Sequence, residues 1–194
     1  MSIAINENIL FFKRWIKSPL QLGTFAPISN SLAKKATISI MNYVNKNSNI
    51  LEVGAGTGKL TRELLKSGVD EKNIKTIELD VDFHKFLEKN IPNVHHINGN
   101  AFDVDKLIKK DWLENVDVIV SVIPLMYMSE SDRNKLTKKL FQSVGKNIPI
   151  IHVTYNPSSP LKNNKDIKSS RLHSVWFNFP PGFVWMYEET NKIG

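Results

Sequence analysis

The sequence contains no cysteine, which excludes disulfides, thiolate zinc sites and cysteine nucleophiles and fits a reducing interior. It also lacks an apolar run long enough to cross a bilayer. The longest, Val118 to Met128, is interrupted by Ser121 and Pro124 and falls well short of the roughly 20 residues required. A membrane, if contacted, is therefore touched from one side. Met1 to Asn8 lack the basic-then-apolar order of a secretory signal, so export is not expected. Acid is in deficit: 19 Asp and Glu against 26 Lys and Arg leave a formal charge of +7. That charge draws the chain toward polyanions, nucleic acid or an anionic bilayer, without choosing between them.

What remains is an ordinary globular mixture, 41% hydrophobic and 23% charged over 194 residues, enough for one domain with a sizeable core. From Asn49 onward, short β-branched runs alternate with amphipathic stretches. Ile50 to Val53, Ile74 to Glu78, Val94 to Ile97, Val116 to Val122 and Ile148 to Tyr155 read as strands, with helices between them, the pattern of a wound α/β sheet. Gly68 is placed to end the helix begun near Gly58, Asp103 to cap a later helix, and Ser129 with Asp132 to form a capping box. The polar tract Asn156 to Ser170 reads as a loop or lid. Leu172 to Phe177 and Phe183 to Tyr187 read as a closing hairpin around Pro180-Pro181-Gly182, which completes seven strands with an antiparallel end.

The first segment is amphipathic as a helix. Ile5, Ile9, Phe11, Phe12, Trp15 and Ile16 share one broad face, Asn6, Lys13, Arg14 and Lys17 the other, and Leu10 is the misfit. Such a helix suits either a headgroup interface or a packed position over the sheet edge.

The chemistry concentrates in Ile50-Leu51-Glu52-Val53-Gly54-Ala55-Gly56-Thr57-Gly58, a strand running through three alternating glycines into a helix. Residues without side chains let the backbone amides press against a ligand at the helix N-terminus. A dinucleotide fingerprint needs a glycine where Lys59 stands, which counts against NAD and FAD. Glu52, just before the glycines, suits a cofactor with a cationic amino group. Glu78, at the end of the next strand, suits both ribose hydroxyls, with Asp80 ranked behind it.

Glu52 to Gly58 resembles motif I of class I S-adenosylmethionine-dependent methyltransferases, and Ile77-Glu78-Leu79-Asp80 resembles their acidic second-strand motif. The resemblance implies a Rossmann-like fold, a seven-stranded, mostly parallel sheet flanked by helices. It also implies S-adenosylmethionine as cofactor, S-adenosylhomocysteine as product, and no metal. In Gly99-Asn100-Ala101-Phe102, Asn100 replaces the family's usual aspartate at the adenine turn. Its oxygen still accepts from an adenine amino group, through a weaker hydrogen bond. Ser121-Val122-Ile123-Pro124-Leu125 occupies the place where base-directed amino methyltransferases carry Asn or Asp, Pro, Pro and a stacking aromatic. Leu125 cannot stack, which disfavours base methylation, although Tyr127 keeps it open.

Beyond these motifs the chain resembles bacterial phospholipid N-methyltransferases, relatives of the ribosomal RNA adenine dimethylases. The likeness rests on Phe12 to Ile16, Gly23 to Ser29, Ser121 to Leu125, Thr154-Tyr155-Asn156-Pro157 and Trp176 to Trp185. It implies stepwise methylation of phosphatidylethanolamine toward phosphatidylcholine at the inner face of the cytoplasmic membrane. It also implies a single domain over 1–194, in which 1–35 dock on the membrane and cover the cofactor and 49–194 form the cofactor-binding core. The expected cofactor residues are Glu52, Gly54, Gly56, Gly58, Glu78, Asn100, Ala101 and Ser121, with Phe25 in the covering loop. Tyr155, Tyr127 and His152 are candidate proton acceptors. Trp176, with the two tyrosines, suits a quaternary cation, and Arg171, then Arg14, suits the lipid phosphate. The expected partner is an anionic membrane with its lipid, nucleic acid being disfavoured, and a monomer is favoured. The alternatives are an RNA adenine-N6 methyltransferase, an ornithine-lipid N-methyltransferase and a non-catalytic cofactor- or lipid-binding protein.

Overall fold

The computed structural model describes residues 28–145, 147–176 and 180–190. The amphipathic segment at 5–17, the covering loop with Phe25, and Arg14 lie outside the described residues. Seven strands form one sheet: β1 (Asn49–Val53), β2 (Ile74–Glu78), β3 (His95–Asn98), β4 (Val116–Ser121), β5 (Ile150–Thr154), β6 (Ile167–Val175) and β7 (Gly182–Glu189). Their order across the sheet is β3-β2-β1-β4-β5-β7-β6. β3, β2, β1, β4 and β5 are mutually parallel, and β7 runs antiparallel to both β5 and β6. The expected fold, with its antiparallel closing hairpin, is the fold observed.

The central strand β4 reads Val-Asp-Val-Ile-Val-Ser, with Val116, Val118, Ile119 and Val120 all fully buried. A parallel strand covered on both faces requires that near-continuous apolar run. On one face lie α1 (Asn30–Ile40), α2 (Lys59–Lys66) and Leu87 and Ile91 from and just past α3 (Val81–Asn90), packed on Ile50, Val118, Val120, Ile151 and Val184. On the other lie α4 (Val104–Leu107), α5 (Lys110–Leu113) and α6 (Glu130–Val144). Leu136, Leu140, Phe141 and Val144 form the buried stripe of α6, spaced for one helical face. α1 runs across position 35, and its Leu32 presses so closely on Gly182 that a Cβ there would stand 2.5 Å from a Leu32 methyl. The start of β7 thus needs glycine for packing.

Two details differ from the sequence reading. Asp103 sits before α4 but makes no capping bond, and its carboxylate pairs instead with Lys106 at 2.8 Å. The capping nearby is done by Asn100, which accepts from Phe102 N–H. The polar tract ends early, because Ile167 to Ser170 pair with β7 as the first residues of β6. Ladder hydrogen bonds outweigh the absence of apolar periodicity in a strand that lies at the sheet edge. Ser129 does cap α6, accepting from Asp132 N–H at 3.1 Å, and Gly145 ends it at φ +66°.

Candidate active site

The functional residues gather at the carboxyl edge of the parallel strands, where loops leave the sheet. Between β1 and α2 the chain turns through Gly54, Gly56 and Gly58, all at positive φ (78°, 55° and 74°), a region that side chains other than glycine's rarely tolerate. Two of the three are also hemmed in. A Cβ on Gly54 would meet Ile123, and one on Gly58 would meet Leu87 and Ile91. Gly56 alone faces open space, with nothing within 4 Å of a Cβ. The turn therefore presents an uncovered stretch of backbone at Gly56, the cradle that a cofactor would fill.

Glu78 ties this turn to β2. Its Oε2 accepts from Gly56 N–H at 2.7 Å and its Oε1 from Asp80 N–H at 2.8 Å. Burial is the leading influence on its carboxyl and raises its pKa, against the pull of those backbone bonds. Asp80 is used differently: its Oδ1 caps α3 by accepting from Asp82 and Phe83 N–H. Asn98 donates to the carbonyls of Glu78 and Leu79, and Gly99 N–H also bonds the Glu78 carbonyl, which fixes the end of β2 from β3.

Glu52 is fully buried, and its Oε2 accepts from Thr61 Oγ1 at 2.6 Å. Its Oε1 has no hydrogen-bond partner. Burial pushes its pKa up to about 8, opposed by the Thr61 bond and reinforced by the nearby Glu78 charge. A buried carboxyl with an unmatched oxygen beside an open glycine cradle suits a ligand that carries an ammonium. Two further residues of this half have little sequence signal. Thr61 is marked only as a hydroxyl on the first turn of a helix. Leu79 is 66% exposed between two acids, an apolar surface beside Glu78. Asn100 is exposed with its oxygen in the cap described above, and Ala101 is buried behind it.

The other half of the edge is less tightly knit. Ser121, His152, Trp185 and Arg171 lie in one register row across β4, β5, β7 and β6, with Val53 of β1 at its head. Ser121 and His152 are both buried and share a hydrogen bond, Nδ1 to Oγ 3.3 Å. His152 stacks on Tyr187 with ring centroids 5.7 Å apart. Burial lowers its pKa to about 4, so it is neutral at pH 7 and sealed from solvent. Tyr155 is half-buried just past β5, against the first core face.

Leu125, in the position of a stacking aromatic, points into the core at 3% exposure, while Tyr127 two residues on is 46% exposed. Trp176, at the end of β6, is 66% exposed and meets Phe183 edge-on at 5.7 Å. Arg171 is exposed, with its guanidinium 5.7 Å from the Trp185 ring centroid. Three strand spacings separate it from Ser121, roughly 14 Å. It therefore stands apart from the edge at which Tyr127 and Tyr155 emerge. Among the described residues no group of three or more His, Asp or Glu could hold a metal ion, and no helix is long and apolar enough to cross a membrane.

Residues 50–147, about half of the chain, match the Methyltransferase domain family, and the chain belongs to it as a class I, S-adenosylmethionine-dependent methyltransferase. It is 25% identical over 144 residues, 72% of this chain and 71% of the other, to the ornithine lipid N-methyltransferase of Singulisphaera acidiphila. It is 32% identical over 84 residues to the ribosomal RNA small subunit methyltransferase A of Clostridium botulinum, a match spanning 43% of this chain and 30% of that one. Among solved structures, the magnesium protoporphyrin IX methyltransferase of Synechocystis PCC 6803 with bound SAM superposes with a TM-score of 0.64 at 10% identity, covering 98% of both chains.

Proposed function

We propose that this methyltransferase acts on the amine of a membrane lipid, phosphatidylethanolamine stepwise toward phosphatidylcholine. The observation that carries the reading is the contrast between Leu125, withdrawn into the core, and Tyr127 and Trp176, exposed at the same edge. An extruded base needs a flat aromatic at the first position. A headgroup that gathers methyl groups and becomes a quaternary cation is instead favoured by aromatic faces around it. The similarity to the ornithine lipid enzyme, which covers most of both chains, supports a lipid acceptor and keeps an ornithine lipid as the second amino lipid to test.

S-adenosylmethionine, when bound, supplies an electrophilic methyl group. The chain's part is to hold its two ends and to bring a neutral amine into line. Glu78 and the open face of the glycine turn hold the nucleoside and methionine parts, and Leu79 covers them. The amine sheds a proton before attack, and of the three candidate acceptors Tyr127 and Tyr155 emerge at the edge, whereas His152 is enclosed. Arg171 serves a lipid phosphate only if the lipid lies across β5 and β7. Peripheral docking through the segment at 5–17 belongs to the same proposal, and its +7 chain favours an anionic leaflet.

The test is transfer of radiolabelled methyl from S-adenosylmethionine to vesicles of phosphatidylethanolamine, vesicles of ornithine lipid, and ribosomal RNA, beside a lipid-free blank. Label in the phosphatidylethanolamine fraction is expected. Label in ornithine lipid alone moves the acceptor within the class, and label in RNA alone overturns the lipid reading.

A further inference from the structure

Among the described residues seven large apolar side chains are exposed: Ile38, Tyr43, Leu79, Val81, Met126, Tyr127 and Trp176. A single exposed apolar residue needs no explanation, but a concentration of them does. Five of the seven stand at one edge of the sheet. Leu79 and Val81 follow β2, Met126 and Tyr127 follow β4, and Trp176 follows β6, which is parallel to β5 because both run antiparallel to β7. All five therefore emerge at the carboxyl edge, where the glycine turn opens. Leu79, Tyr127 and Trp176 have roles in the proposed site, whereas Val81 and Met126 have none. From β2 to β6 the row crosses five strand spacings, roughly 24 Å, which a single lipid headgroup does not cover and a flat surface does.

The charge of the chain gathers toward the same edge. Residue 28, where the described fold begins, leads into α1, whose Leu32 packs on Gly182, the partner of Val175 beside Trp176. Between Asn8 and Leu51 the sequence has six Lys and Arg and no Asp or Glu, and Lys34 and Lys35 are exposed in the first half of α1. Asp80 and Asp82 stand at the β2 end of the row, so the attraction to anions is concentrated at the Trp176 end. The remaining two exposed residues lie elsewhere. Ile38 is in the second half of α1 and Tyr43 beyond it, on the way to the start of β1 at the opposite edge.

We propose that the carboxyl edge is itself a docking rim for an anionic bilayer, with Leu79, Val81, Met126, Tyr127 and Trp176 entering the headgroup interface and the sheet standing upright on the leaflet. Tyr and Trp suit that boundary, apolar in body and polar at one end. The opening of the site then faces the lipid directly, and Ile38 and Tyr43 stay in water. The inference rests on the lipid reading of the acceptor.

The test is partitioning of the full chain onto vesicles of phosphatidylethanolamine and phosphatidylglycerol, measured by flotation. Two double variants that carry the same added charge are compared, Val81→Asp with Met126→Asp at the rim and Ile38→Asp with Tyr43→Asp away from it. Calorimetric binding of S-adenosylhomocysteine confirms that each is folded. The rim pair is expected to lose about tenfold or more in partitioning, and the other pair less than about twofold. Undiminished partitioning of the rim pair, equal losses in both pairs, or no binding by the unaltered chain overturns the proposal. Methyl transfer to vesicles and to a short-chain phosphatidylethanolamine dispersed as monomers separates this outcome from that of the acceptor. Transfer to the monomers with a rim pair unimpaired on vesicles sinks the rim alone, whereas rim-dependent binding without transfer to either lipid sinks the acceptor alone.

Discussion

The two halves of the sheet's carboxyl edge are held together by different means. On the side of β1 to β3, polar groups bond one another directly: Glu78 to Gly56 and Asp80, Asn98 to two carbonyls, Thr61 to Glu52. On the side of β4 to β7, the candidate residues are aromatic rings on separate strands and loops, and the buried polar contact, Ser121 with His152, lies beneath them. The first half is a backbone socket fixed before any ligand arrives. The second is a surface whose chemistry depends on what is laid against it. Loss of a single side chain should therefore be severe in the first half and graded in the second.

The largest effect is expected at Glu78. Glu78→Ala removes both the acceptor for Gly56 and Asp80 N–H and the carboxylate proposed to hold the ribose. With charged hydrogen bonds worth about 1.5 to 3 kcal/mol each, affinity for S-adenosylhomocysteine should fall at least about a hundredfold in a calorimetric titration. Near-normal binding by this variant would erase the distinction between the halves.

Each half buries a strongly shifted titratable group, Glu52 in the first and His152 in the second, and the two oppose each other with pH. Glu52 is raised to about 8 from 4.5, so the folded chain keeps a proton that the unfolded chain has lost, and stability falls as pH rises between those values. His152 is lowered to about 4 from 6.5, so the unfolded chain takes up a proton that the folded one refuses, and stability falls as pH drops through that window. The slopes offset one another where the windows overlap, and above pH 6.5 that of Glu52 is no longer opposed by His152. The cofactor-free protein should lose about 2 kcal/mol between pH 6.5 and 8 in urea unfolding. Glu52→Gln should flatten most of that decline, with the raised Glu78 accounting for the remainder. An undiminished decline in Glu52→Gln would place its origin elsewhere.

The smallest effects belong to the aromatic edge. Tyr127→Ala and Trp176→Ala each remove a cation–π face of about 0.5 to 2 kcal/mol. Transfer to lipid vesicles should drop roughly two- to thirtyfold, most strongly for the last methyl group, with S-adenosylhomocysteine affinity unchanged. A matching loss of cofactor affinity would join the edge to the socket.

The same contrast explains what the sequence made legible. Gly54, Gly56 and Gly58 had to be glycine because of their backbone angles, and Glu78 had to end a strand. Such local requirements are written where they act. The five parallel strands were likewise readable from β-branched runs, since parallel strands in a buried sheet have few other compositions. Leu125 was read only as a residue unable to stack on a base; that it serves the core was not legible, because the direction of a loop side chain is set by Leu136 and Leu140 on a distant helix. The first strand of the closing hairpin began earlier than its polar sequence suggested, because its register is dictated by β7. Residues such as Tyr127, Tyr155 and Trp176 come to one edge through the order in which the strands lie, which no local spacing records.

Glu52 has one further consequence. With a pKa near 8, it waits at neutral pH mainly as an uncharged acid. A ligand that brings an ammonium to it favours the ionised form, so loading the socket expels a proton into the surroundings. The heat of cofactor binding at pH 7 will therefore carry the ionisation enthalpy of whichever buffer receives that proton. Titrations in phosphate and in Tris should give different heats for the same affinity.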